Sequence, residues 1–84
     1  MFKVSITVRA EKELRKIDRQ SRNRIATALK ALADEPRPSG YVPIRSEPGA
    51  FRIRVGDFRI GYTVDDANKR LVIFRIGHRR EFYD

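Results

Sequence analysis

The chain contains no cysteine, so disulfide staples and thiolate metal sites are excluded. It has a single histidine, His78, and no Ser/His/Asp set is visible around it. No apolar run approaches the roughly 18 residues of a membrane-spanning helix. The opening MFKVSITVRA lacks the apolar core of a secretory signal. A cytoplasmic protein with no membrane partner is therefore expected. No glycine-rich phosphate loop is present, since Gly56 and Gly61 read as hairpin and sheet glycines. The acidic residues are scattered, and Asp65-Asp66 reads as a turn, so the clustered carboxylates of a two-metal nuclease are missing. No metal and no cofactor are expected.

What the chain has in excess is positive charge. Across 84 residues, 19 Lys and Arg stand against 11 Asp and Glu, a net charge of +8 with a pI near 10.6. A basic chain of this size attracts polyanions, and nucleic acid is the usual one. The basic residues are not confined to one amphipathic helix, which argues against an anionic membrane. Arginine outnumbers lysine, and its planar fork bonds phosphate bidentately and stacks on bases. The length allows one domain, residues 1–84, with a modest core.

Hydrophobic periodicity sets the order of elements. Phe2, Val4, Ile6 and Val8 alternate with polar residues, which predicts a half-buried strand. Ala10, Leu14 and Ile17 form one helical stripe, and Ile25, Ala28, Leu29 and Leu32 form another. Thr7 and Asp18 are the capping candidates. Pro36 and Pro38 stop the second helix, and Pro36–Gly49 reads as a loop with at most a brief strand near Ile44. The outer helical faces carry Arg9, Lys12, Arg15, Lys16, Arg19, Arg22, Arg24 and Lys30, read as a solvated surface. Three strands follow: Phe51–Val55, Phe58–Val64 and the apolar Leu71–Ile76. The predicted fold is α+β: an N-terminal strand, a two-helix hairpin, then a three-stranded antiparallel meander.

Gly56-Asp57 suits a two-residue type II′ turn. Counting from it sets Arg54 opposite Arg59 and Arg52 opposite Gly61. Alternation then places Phe51, Ile53, Val55, Phe58, Ile60 and Tyr62 on the core face. Arg52, Arg54 and Arg59 share the other face, with Gly61 leaving open space beside them. Directly opposed like charges destabilise a sheet, so a bound polyanion is the natural explanation of this cluster. The tail adds His78, Arg79, Arg80 and Tyr83. Arg75 shares strand parity with Gly77 and Arg79 and is expected, with Arg80, to contact RNA. Tyr83 offers a ring for base stacking. His78 is the only histidine, the residue type suited to proton transfer near neutral pH, and is a candidate for acid–base work. A nuclease built from these residues has to act without metal, with cations stabilising the phosphorane and the RNA 2′-hydroxyl as nucleophile.

The stretch Phe51-Arg52-Ile53-Arg54-Val55-Gly56-Asp57-Phe58-Arg59-Ile60-Gly61-Tyr62 and the tail Gly77-His78-Arg79-Arg80-Glu81-Phe82-Tyr83 resemble the RelE/ParE toxin superfamily. The helical hairpin ending at Leu32-Ala33-Asp34-Glu35-Pro36 is similar too, and the tail looks like the RelE branch. The resemblance implies the toxin of a type II toxin–antitoxin system, an mRNA endoribonuclease acting in the ribosomal A site. It implies a cognate antitoxin as partner, with operator DNA contacted only through that antitoxin. It further implies that Arg52 and Arg54 stand where relatives have lysines that activate the 2′-hydroxyl. By the same resemblance Arg59 holds the phosphate, Arg79 protonates the leaving oxygen, and Tyr83 stacks on the substrate base. Arginine at 52 and 54 departs from that pattern, because a permanently charged guanidinium is suited to stabilise charge and not to act as a base. The base is then Tyr83, His78 or water, and Glu81 with His78 is the one Glu–His pair on offer. The ParE branch, which poisons DNA gyrase, and a non-cleaving RNA- or ribosome-binding module are the competing readings.

Overall fold

The computed structural model describes residues 1–80. Strand β1 (Lys3–Ile6) leads into helices α1 (Val8–Arg15) and α2 (Arg19–Asp34), followed by strands β2 (Val42–Pro43), β3 (Ala50–Val55), β4 (Phe58–Asp65) and β5 (Arg70–His78). The five strands form one sheet in the order β1-β5-β4-β3-β2. All neighbours are antiparallel except β1 and β5, which run parallel. This is the predicted α+β order, with the brief strand near Ile44 realised as β2.

Both helices begin where the capping residues stand. The Thr7 side chain accepts a hydrogen bond from the Ala10 amide at 3.1 Å, and Asp18 accepts one from the Ser21 amide at 3.0 Å. The Thr7 cap starts α1 earlier than the alternating pattern implies. Val8, expected on the strand's core face, is instead the first residue of α1 and 70% exposed. Helix α2 stops ahead of Pro36, whose carbonyl accepts a 2.7 Å bond from the buried Tyr62 hydroxyl.

The helices bury one face of the sheet. Ala10, Ile25 and Leu32 meet Ile53, Ile60, Tyr62, Leu71, Ile73 and Ile76 in a single core. A smaller cluster of Ile44 and Ala50, with Phe74 packed on it, lies apart from that core. Ala50 has the strand parity of Arg52 and Arg54, so this cluster occupies the face that the helices leave open.

Candidate functional site

The β3–β4 hairpin has the counted register: Arg54 pairs with Arg59, Arg52 with Gly61, and Val55 with Phe58. Gly56 has φ +60° and Asp57 does not reach positive φ, as a type II′ turn requires. With Ile53 and Ile60 in the core, Arg52, Arg54 and Arg59 project to the opposite face. Gly61 is itself buried. It is covered, and the space on this face lies among Arg52, Arg54 and Arg59 themselves.

Strand β5 contributes through a bulge. Gly61 pairs with Arg75, yet Tyr62 pairs with Ile73, so Phe74 has no opposite number. In a strictly alternating strand Arg75 would share the face of Leu71 and Ile73, which are both in the core. The extra residue shifts the alternation by one. Ile76 then joins Ile60 in the core, and Arg75 joins Arg52 and Gly61 in one row across the open face. The next row is Arg54, Arg59 and Gly77.

Arg79 is brought to the same place by the backbone. Its amide donates to the Asp57 carbonyl at 2.8 Å, which fastens the end of β5 to the β3–β4 turn. Arg59 sits at the centre, on β4 with β3 and β5 on either side. Burial, and then the positive charges of Arg54, Arg52 and Arg79, push its pKa below the ordinary arginine value. It remains a cation at neutral pH. Its Nη1 is buried and has no hydrogen-bond partner among the described residues. A buried guanidinium N–H without an acceptor is costly, so an anion that fills the face relieves both the repulsion and the missing bond.

His78 does not join this group. It pairs with Phe58, whose ring packs on the core, and the two rings meet edge to face at 5.7 Å between centroids. The pleat therefore turns His78 toward the helices and away from Arg59, so the structure does not bring it together with the arginine cluster. Its Nδ1 accepts the Arg80 amide at 3.2 Å. Arg80 itself is exposed beyond the strand. Tyr83 and Glu81 lie outside the described residues.

Sequence reasoning missed Arg24. Read as part of a solvated helical face, it comes from α2 to the β3–β4 turn: a Cβ on Gly56 would lie 3.3 Å from its Nη1. Helical periodicity shows that Arg24 is on an outer face but not what stands beside it.

A family model described as the ParE toxin of the type II toxin–antitoxin system parDE matches residues 4–83. The chain belongs to the RelE/ParE toxin superfamily. It is 32% identical over 84 residues to Toxin RelG of Mycobacterium tuberculosis, covering 98% of this chain and 95% of that protein. A chain of the toxin–antitoxin complex RelBE2 from M. tuberculosis superposes with a TM-score of 0.82 at 30% identity, covering 93% of this chain and 98% of the other. The intact E. coli RelBE complex gives a TM-score of 0.81 at 22% identity, covering 93% and 96%, a likeness that speaks for the fold alone. As a member of this superfamily the protein is a toxin of the type II toxin–antitoxin class. No helix among the described residues is long and apolar enough to cross a membrane.

Proposed function

We propose that this toxin is a metal-independent endoribonuclease that cuts messenger RNA in the ribosomal A site and is held inactive by a cognate antitoxin in the cytoplasm. The observation that carries the reading is the central Arg59, with a buried and unpartnered Nη1 and like charges in the same two rows. Such a face is incomplete without a phosphate.

In this reading Arg59 binds a non-bridging oxygen of the scissile phosphate. Arg52 and Arg54 stabilise the charge that builds as the 2′-hydroxyl attacks, and neither removes a proton. Arg75 and Arg80 hold the neighbouring backbone. Arg79, fastened to the hairpin turn, faces the leaving 5′-oxygen and stabilises it as the P–O bond breaks, and water supplies the proton that makes it a hydroxyl. Tyr83 stacks on a base. The products are a 2′,3′-cyclic phosphate and a 5′-hydroxyl. With His78 turned to the helices, Tyr83 or water is left to take the 2′ proton. The scarcity of bases makes positioning the main source of rate, which the ribosome supplies. The antitoxin reaches the +8 toxin through electrostatic steering, and association slows as salt rises.

The deciding experiment pairs primer extension on messages from translating ribosomes with a gyrase supercoiling assay. Codon-spaced cleavage with unaffected gyrase is expected. Gyrase poisoning without cleavage would give the ParE-type reading, and binding with neither activity would leave a ribosome-binding module.

A further inference from the structure

The cationic surface does not end at the open face. Beyond β2, which pairs only with Arg52 and Phe51, no strand among the described residues pairs with the outer edge of β3, and Arg54 stands on that edge. On one side Arg54 lines a cavity of about 180 Å³ with Arg52, Arg59, Gly40 and Val42. On the other it lines a cavity of about 240 Å³ with Arg24, Ser21 and the turn Gly56-Asp57. Arg54 is held between them by its Nε, which donates to the Gly56 carbonyl at 3.1 Å. The absence of a side chain at Gly56 lets the Arg24 guanidinium lie against the turn. The Arg24 side chain makes no hydrogen bond or ion pair among the described residues, although Asp57 borders the same cavity. Two arginines against one aspartate leave the lining of this cavity net positive.

We propose that the cavity between Arg24 and Arg54 is a second phosphodiester subsite, which takes an RNA strand from the open face around the outer edge of β3 onto α2. This rests on the reading of the open face as an RNA-cutting site. Arg24 binds the backbone of a nucleotide next to the reacting one, and Arg54 serves both subsites. The phosphodiester can come from the message or from ribosomal RNA, and the chemistry of recognition is the same.

The test uses a fluorescent single-stranded RNA carrying 2′-O-methyl groups, which binds without being cut. Its affinity is measured across a salt series for the wild-type protein, Arg24→Gln, Arg59→Gln and Arg9→Gln, then repeated with the same strand as message on ribosomes. Arg24 is exposed, so the variant folds normally, and Arg9 sits on α1 paired to Glu13 at 3.5 Å as a distant control. Arg24→Gln is expected to weaken binding several-fold and to reduce the log–log salt slope by about 0.7, the share of one single-strand phosphate. Arg9→Gln leaves both unchanged. A loss with Arg24→Gln on ribosomes but not on the free strand assigns the phosphate to ribosomal RNA. Wild-type behaviour of Arg24→Gln in both settings, beside a clear loss for Arg59→Gln, overturns the subsite alone. No loss with Arg59→Gln overturns the underlying reading and the subsite with it.

Discussion

The two faces of one sheet follow opposite rules. Toward the helices, Ile60, Tyr62, Ile73 and Ile76 are buried with at most 1% exposure, and the one polar atom among their side chains, the Tyr62 hydroxyl, has its acceptor. Toward the open side the same strands present Arg52, Arg54, Arg59 and Arg75 in adjacent rows, and a guanidinium nitrogen of Arg59 is buried without an acceptor. The first face satisfies every requirement of a folded core. The second violates one at its centre, and such violations concentrate where a protein meets its ligand. Stability and function are therefore separable here by substituting one face at a time.

The largest effect is expected on the covered face. Ile60→Ala removes a fully buried side chain from the middle of the core and should lower stability by about 2–5 kcal/mol. Thermal unfolding should show it, and activity should fall only as the folded fraction falls. Retention of wild-type stability would mean that the core is not where the sheet puts it.

Next is Arg79→Ala on the open side. Its backbone bond to Asp57 does not depend on the side chain, so the fold should persist. Ribosome-dependent cleavage should drop by about 10²–10³, the usual consequence of removing a transition-state donor. Growth arrest by a well-expressed, folded Arg79→Ala protein would remove Arg79 from the mechanism.

Tyr62→Phe is a smaller change to the covered face. It strands the Pro36 carbonyl and should cost about 1 kcal/mol with cleavage intact. Burial pushes the Tyr62 hydroxyl up to about 12. A folded pKa above the unfolded value means that its contribution is complete below pH of about 10 and is lost as pH rises through about 12. The wild type should lose on the order of 2 kcal/mol across that window, and the phenylalanine variant should lack that component.

The contrast between faces was partly legible in the sequence. A two-residue turn at Gly56-Asp57 dictates the whole hairpin register, so the Arg54–Arg59 pair followed from counting. The strand order did not follow, because β1 finds its parallel partner β5 through tertiary packing with no local signal. The bulge at Phe74 was nearly hidden for a related reason. The run Leu71–Ile76 is apolar on both sides except at Arg75, whose charge at the parity of Leu71 and Ile73 was the one local mark of the inserted residue. His78 is set apart from the cluster by the pleat: one step along the strand from Gly77 turns it to the helices, beside Phe58. Arg24 needed the distance between α2 and the turn, which periodicity does not carry.

The smallest effect is the most discriminating, because its sign is unusual. Arg59 faces Arg54 directly, has a buried nitrogen without an acceptor, and is held below the ordinary arginine pKa by burial and neighbouring positive charge. Each of these features raises the free energy of the isolated folded protein. In Arg59→Gln the charge is gone, and an opposed like-charge pair is worth about 0.2–1 kcal/mol against the fold. Stability should therefore stay level or rise by that amount while cleavage collapses. Arg54→Gln should show less of the gain, since the Arg54 bond to the Gly56 carbonyl is lost with the charge. Thermal unfolding at low and high salt separates the contributions, because added salt screens the repulsion in the wild type and narrows the gap between the two proteins. A marked loss of stability in Arg59→Gln would mean that its guanidinium supports the fold, and the open face would then be structure and not a site.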